Sequence, residues 1–183
     1  MEKVNNIGEE ILSHYENFLG VFKNNRVFET NKLMPSLQFL EYDNVFTGCK
    51  VYTSLGVSKY QHSIQNLCEV VMAVDDDFDN CCTILANVLF YIINHNMNFG
   101  RGTYIEGISS INKKFADEHG KEAIYFTETY VFPDDFSKVN DKVKLYLAFF
   151  ITKEECDYIK KNGCEKFEDY LESIECDIMN LNR

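Results

Sequence analysis

Apolar residues recur at helical spacing in three parts of the chain. The first is residues 5–19, where one face is apolar. That face consists of Ile7, Ile11, Leu12, Tyr15 and Phe18. A second helix is predicted at 81–96, with Asp79 or Asn80 as its N-cap, because carboxylates suit the positive end of the helix dipole. The capping-box sequence TKEE at 152–155 predicts that two further helices follow.

Stretches rich in β-branched and aromatic residues predict strands between these helices. The predicted strands are 26–29, 37–42, 45–55, 67–74, 103–108, 123–131 and 143–151. The run LCEVVMAV at 67–74 is nearly all apolar, which is typical of a central strand buried on both faces. Its one charge is Glu69, whose side chain we expect to face a polar edge of the sheet or a groove. Residues 111–122 are polar and are predicted to form a loop, and the whole order of elements indicates an α+β domain.

The composition is that of one globular domain spanning residues 1–183. Hydrophobic residues make up 45% and charged residues 26%. The net charge of −11 disfavours nucleic-acid binding, because few cations are left to neutralise phosphates, and it favours a basic protein partner. The first residues lack the apolar core of a signal peptide, and the apolar run at 84–93 is too short and polar to span a bilayer. We therefore expect a cytoplasmic protein that does not bind membranes and that is a monomer or a weak homodimer when free.

Neither a metal nor another cofactor is expected. The seven cysteines are odd in number and include no C-x-x-C pair, so we interpret them as small buried hydrophobic residues. The acidic run DDDFD at 75–79 has the start of an EF-hand pattern but lacks its glycine. An acidic patch that caps the following helix is the better interpretation.

The stretch VYTSLGVSKY at 51–60 contains most of a G-x-S-x-G nucleophile elbow around Ser58. The elbow needs a glycine two residues after the serine, and Tyr60 occupies that position. The four histidines are scattered, and His62 lies in the same predicted loop instead of far downstream. The pattern therefore indicates a turn, in which Gly56 supplies a permissive backbone and Ser58 bonds the local backbone. We predict that the chain is not an enzyme.

The order of these elements resembles the suppressor-of-fused-like domain family. The sequence TSLGVS at 53–58 matches a T-x-G-x-S turn, and Glu69 opens an apolar strand as in that family. A turn and a helix follow at 75–96, and an apolar strand at 145–151 runs into the helix with an acidic start. Gly100, Gly102 and Gly107 before a short strand, and the terminal D-x-x-x-x-x-R of Asp177 and Arg183, extend the match. The chain departs from the family in having no tryptophan and in carrying DDDFD where the family has a proline-bearing turn.

The resemblance implies a mixed, largely antiparallel sheet packed by an N-terminal helix, a central helix and C-terminal helices. It also implies a binding protein. Animal members sequester a transcription factor, and standalone bacterial members resemble immunity proteins that neutralise a cognate toxin, often a nuclease. The Asn, Lys, Ile and Tyr usage favours a bacterial source, so we predict an immunity protein that occludes its toxin stoichiometrically. The alternative is a regulatory adaptor that sequesters another cytosolic protein.

An acidic surface with aromatic anchors would suit a basic toxin. Carboxylates mimic the phosphates that a nuclease must bind, and opposite charge accelerates encounter. The predicted partner-binding residues are Asp75, Asp76, Asp77, Asp79, Asp134, Asp135, Tyr60, Phe78 and Phe132.

Overall fold

The computed structural model of the chain describes residues 7–30 and 34–183. Seven α-helices lie in these residues: α1 (Ile7–Leu19), α2 (Gln61–Ile64), α3 (Phe78–Asn94), α4 (Ile108–Ile111), α5 (Lys113–His119), α6 (Lys153–Asn162) and α7 (Cys164–Ser173). The strands of the same residues are β1 (Asn24–Phe28), β2 (Leu37–Asp43), β3 (Lys50–Leu55), β4 (Cys68–Val74), β5 (Tyr104–Glu106), β6 (Ala123–Glu128), β7 (Lys138–Val139) and β8 (Val143–Ile151). Two short 3-10 helices occupy Val57–Tyr60 and Asp134–Ser137.

The strands form one mixed sheet in the order β1-β2-β3-β4-β8-β6-β5, with β7 paired to the start of β8. The β4–β8 pair is parallel, in the register Cys68↔Lys144 to Met72↔Ala148. The other pairs are antiparallel. The predicted central strand is confirmed, because every residue of β4 is buried and β4 lies in the middle of the sheet. The α+β prediction, with a largely antiparallel sheet, is also confirmed.

Helices cover both faces of the sheet and make three layers. Alternate residues of β8 point to opposite faces, as the pleat of a strand requires. Tyr146, Ala148 and Phe150 join the first core cluster, beneath α3 and α5. Leu145, Leu147, Phe149 and Ile151 join the second cluster, beneath α1, α6 and α7. Since β8 is buried on both faces, its sequence is apolar apart from Lys144 near its start and does not alternate.

Four sequence predictions are wrong in detail, and the first is the strand predicted at 123–131, which ends at Glu128. The strand predicted at 45–55 begins only at Lys50, because a turn precedes it in which Asn44 and Gly48 have positive φ. The predicted loop at 111–122 contains the helix α5, which Asn112 caps by accepting a hydrogen bond from the Phe115 N–H at 3.0 Å. The helix α3 begins at Phe78, with Asp77 as its N-cap. The helix predicted from residue 5 begins at Ile7 in the described residues, and residues 5 and 6 lie outside them.

The capping box is confirmed. The Thr152 hydroxyl accepts from the Glu155 N–H at 3.3 Å, and the Glu155 carboxylate accepts from the Thr152 N–H at 2.8 Å. All seven cysteines are free, and four of them are buried. Burial raises the pKa of the Cys82 and Cys156 thiols to about 12, so both stay protonated at neutral pH.

Lys121 is a buried cation at the end of the α5 segment. Only 2% of the residue is exposed, and its Nζ donates to the backbone carbonyl of Arg183 at 3.4 Å. Burial, followed by the nearby Arg183 guanidinium, lowers the pKa of Lys121 to about 8. The folded protein therefore holds this lysine in an environment that disfavours its charged form.

This burial predicts a pH dependence of stability. Between about pH 8 and the ordinary lysine pKa of about 10.4, the unfolded chain keeps the Lys121 proton that the folded chain has lost. Because the unfolded state then binds more protons, the stability that Lys121 contributes rises with pH in this window, by up to about 1.4 kcal/mol per pH unit. The free energies of unfolding in urea of the wild type and of Lys121→Met, compared at pH 7.5 and pH 10, measure this contribution. We expect the wild type to gain stability relative to the variant at the higher pH; an unchanged difference would contradict the buried, pKa-shifted lysine.

Candidate functional site

The charge of the central strand lies in a cradle formed by the TSLGVS segment. Glu69 is completely buried on β4. Its carboxylate accepts from the hydroxyls of Ser54 at 2.5 Å and Ser58 at 2.7 Å. It also accepts from the backbone N–H groups of Gly56, Val57 and Ser58 at 2.9, 3.2 and 3.1 Å. Five donors thus replace the water that a buried carboxylate loses.

The cradle corrects two predictions from the sequence. Glu69 does not face an edge of the sheet or a groove, because the turn after β3 closes over it. Ser58 does bond locally within the fold, but its hydroxyl donates to the Glu69 carboxylate and not to the backbone. Because that hydroxyl is hydrogen-bonded to Glu69 and only 6% of the residue is exposed, Ser58 is not in a position to attack a substrate. A lone charge in an apolar strand is the sequence signal for such a cradle, since buried charges need partners.

Most carboxylates of the DDDFD turn already have partners within the chain. Asp75 accepts from the Leu181 N–H at 2.9 Å and so fixes the segment that follows α7. Asp77 accepts from Asn80 at 2.8 Å, and Asp79 forms an ion pair with Arg26 of β1.

The hydrogen bond and ion pair with Arg26 hold the pKa of Asp79 below its usual range, although the Asp79 side chain is 81% exposed. Asp76 is exposed, and one of its oxygens accepts from the Asp77 N–H at 2.7 Å. The turn is therefore more structural than its sequence indicates, and Asp76 and Asp79 remain its exposed carboxylates.

The predicted aromatic anchors are divided between the two core clusters. Tyr60 is 8% exposed, and its hydroxyl donates to the Pro35 carbonyl in the first cluster. Phe132 is 7% exposed and packs on Phe136 in the second cluster, with ring centroids 4.5 Å apart. Phe78 is half-buried against the first cluster.

Asp134 and Asp135 are exposed, in the 3-10 helix that follows Phe132. The structure thus leaves four of the predicted carboxylates on the surface, at residues 76, 79, 134 and 135, and places two of the three aromatic rings inside the protein.

One grouping of metal-ligand types occurs in the described residues. The carboxylates of Asp77 and Glu118 and the ring of His119 bring their ligand atoms within 4.8 Å of one another. The Asp77 Oδ2 and His119 Nε2 atoms are 3.4 Å apart. This grouping includes only one residue of the DDDFD turn. It therefore differs from the EF-hand pattern that was considered for that turn from the sequence and set aside.

Sequence reasoning missed a cleft between α7 and the strands β6 and β8. It encloses about 580 Å³. The residues that line it are Arg101, Thr127, Glu128, Tyr130, Phe149, Glu168, Asp169, Leu171, Glu172, Glu175 and Cys176. Five of these side chains are carboxylates and one is a guanidinium, so the lining is strongly acidic. Because the residues are scattered along 76 positions of the chain, only the fold brings them together.

Glu168 is the ordered centre of this cleft. Its carboxylate accepts from Arg101 Nε at 2.8 Å, from the Tyr125 hydroxyl at 2.9 Å and from the Thr127 hydroxyl at 2.6 Å. Burial alone would raise the pKa of Glu168, but the hydrogen bonds from Arg101, Thr127 and Tyr125 outweigh it and lower the pKa below its usual value. The carboxylate is therefore charged and held in one position at neutral pH.

None of the helices in the described part of the chain combines the length and the apolar character that crossing a bilayer demands.

Comparisons with known proteins agree with this architecture. The family model described as Suppressor of fused protein (SUFU) matches residues 34–183. A relative named Immunity protein YqcF, from Bacillus subtilis strain 168, is 26% identical in a match that covers 74% of this chain and 73% of that protein. The crystal structure of a suppressor of fused homologue from Neisseria gonorrhoeae superposes with a TM-score of 0.78 at 14% identity, covering 96% of this chain and 94% of that one. The match of the family model over residues 34–183, most of the chain, shows that the chain belongs to the suppressor of fused family.

Proposed function

We propose that this chain is an immunity protein that binds a cognate toxin, a nuclease, and neutralises it by stoichiometric occlusion. The observation that carries the proposal is the similarity to a relative named as an immunity protein, over about three quarters of both chains. The net charge of −11 supports a basic partner. A nuclease must present cations to the phosphates of its substrate, and an acidic protein can compete for that surface.

The proposed mechanism requires no turnover and no cofactor. Ser58, which the sequence pattern raised as a nucleophile, is buried, and its hydroxyl donates a hydrogen bond to the Glu69 carboxylate. Binding would instead use exposed carboxylates, among them those of Asp76, Asp79, Asp134 and Asp135. Phe78, in the same turn as Asp76 and Asp79, stays partly accessible, with its ring centroid 5.1 Å from the Lys50 ammonium. Tyr60 and Phe132 are buried in different core clusters, so their rings are not available to such a surface in this structure.

Co-expression with the candidate toxin tests the role. The candidate to test is the C-terminal domain of any large protein with a secretion-type N-terminus whose gene adjoins the gene of this chain. We expect wild-type chain to restore growth of cells that produce this domain and to co-purify with it. A chain carrying Asp76→Lys, Asp134→Lys and Asp135→Lys should bind at least about tenfold more weakly, because each reversal places like charge against a basic surface. If the reversals leave binding unchanged, the immunity role still stands, but these residues do not belong to the interface. If the wild-type chain neither restores growth nor binds the toxin domain, the immunity role itself is contradicted.

A further inference from the structure

The cleft between α7 and the strands β6 and β8 contains more carboxylates than the ion pairs of the described residues neutralise. Of its five carboxylates, Glu168 is neutralised by Arg101 and Glu128 pairs with Lys144 at 2.8 Å. Asp169, Glu172 and Glu175 are exposed, and no ion pair is found for them among the described residues. Their charge therefore stays available to a ligand.

Two of these three carboxylates, Asp169 and Glu172, lie on α7, where their position is unfavourable in the free protein. The negative end of a helix dipole favours cations, yet the last turn of α7 carries Glu172 and no basic residue. Asp169 and Glu172 are also three residues apart, so they are neighbours on the helix surface, and their like charges repel because neither has an ion pair in the described residues. The neighbouring helix α6 follows the favourable rule, with Lys160 and Lys161 in its last turn. A cation docked in the cleft would relieve both effects, and such local conflicts concentrate at functional sites.

The walls of the cleft suit an arginine side chain. Phe149 and Leu171 supply an apolar floor, and Tyr130, which is 60% exposed, supplies an aromatic ring. A guanidinium is weakly hydrated, bonds carboxylates in a fork and stacks on aromatic faces, whereas an ammonium is a strongly hydrated point charge. The volume of about 580 Å³ lies within the range of specific binding pockets and exceeds one side chain.

We propose that this acidic cleft is a docking site for an arginine-bearing segment of a protein partner. The proposal deepens the immunity function and rests on it for the identity of the partner, which would be the toxin. Glu172, Glu175 and Asp169 supply the long-range attraction and the ion pairs. Glu168, already held by three donors, keeps the wall of the cleft rigid so that little ordering is needed on binding.

A hexa-arginine peptide tests the cleft without the toxin. Its binding is measured by calorimetry and by the chemical shifts of the amides that line the cleft. The test variant carries Asp169→Asn, Glu172→Gln and Glu175→Gln. The control variant carries Glu16→Gln, Asp141→Asn and Glu154→Gln, which removes the same number of exposed charges outside both the cleft and the carboxylates proposed above to face the toxin. We expect the test variant to lose at least about tenfold in affinity and the control to lose less than about threefold. Equal losses, or shifts that lie outside the cleft, would overturn the proposal, and so would spermine binding as tightly as the peptide, because the occupant would then be any polycation.

The same two variants are then mixed with the toxin domain. Loss of toxin binding in the test variant alone would support the cleft as the contact surface. Toxin binding that both variants keep would overturn the cleft as the toxin contact and leave the immunity role intact. If the wild type does not bind the toxin domain, the immunity role fails, and the peptide measurement still decides whether the cleft takes arginine.

Discussion

Replacement of Glu69 by glutamine is expected to destabilise the fold more than any exposed substitution. Glutamine keeps the size of the side chain but removes the charge and turns one acceptor into a donor that faces N–H groups. Five donors converge on this carboxylate, and the residue is fully buried, so they would find no water in its place. Breaking a buried charged network costs about 3–5 kcal/mol, out of a total stability of about 5–15 kcal/mol. The midpoint of thermal unfolding should fall by about 10 °C.

Matched variants separate the cradle from a general effect of losing a carboxylate. Glu118→Gln removes an exposed carboxylate that pairs with Lys114 at 3.5 Å, and it should change stability by less than about 0.5 kcal/mol. Ser58→Ala removes one of the five donors and should cost an intermediate amount, about 1–3 kcal/mol. Unfolding in urea, followed by circular dichroism, ranks the three variants. A Glu69→Gln protein as stable as the Glu118→Gln protein would show that the charge of Glu69 does not hold the turn in place.

Substitution of Gly56 by alanine is expected to have the second largest effect. Gly56 donates its N–H to Glu69 from a backbone with φ of 123°, which residues with a side chain rarely adopt. A Cβ there would also lie 2.9 Å from the Ser36 carbonyl oxygen, so the backbone would have to move. Together the strain and the contact should cost about 3 kcal/mol or more.

Gly107→Ala is the control for Gly56→Ala. Gly107 also has a positive φ, of 94°, but a Cβ at that position meets nothing within 4 Å. It should therefore cost only the conformational strain, about 1–2 kcal/mol. Denaturant midpoints of the two variants give the comparison. If the two variants lose equal stability, the contact between a Cβ at residue 56 and the Ser36 carbonyl oxygen adds nothing to the cost of the Gly56 substitution.

The sheet could be predicted from the sequence because each of its central strands is apolar except for one charged residue. Runs such as 67–74 and 143–151 have apolar side chains on both faces of a strand, so they are stable only where both faces are covered. In the structure, β4 and β8 are neighbours in the middle of the sheet. The helix α5 could not be predicted in this way. It buries only Phe115 and Ala116, so its apolar face is too narrow to produce a helical pattern.

The candidate site was harder to predict because its chemistry depends on contacts that are distant in sequence. The partners of Asp75 and Asp79 are Leu181 and Arg26, which lie 106 and 53 residues away. A run of aspartates therefore gives no indication of which carboxylates remain available. The aromatic anchors pose the same problem, because Tyr60 and Phe132 lie in segments predicted to connect regular elements and are nevertheless buried. The acidic cleft requires β6, β8 and α7 to assemble first.

Titration of the toxin with purified chain would test the central claim most directly. The nuclease activity of the purified toxin domain is measured while the chain is added at a toxin concentration well above the dissociation constant. Stoichiometric occlusion predicts that the activity falls linearly and reaches zero at one chain per toxin, with both proteins recovered unmodified in a complex. Inhibition that is complete at a small fraction of an equivalent, or activity that persists beyond one equivalent, would contradict it.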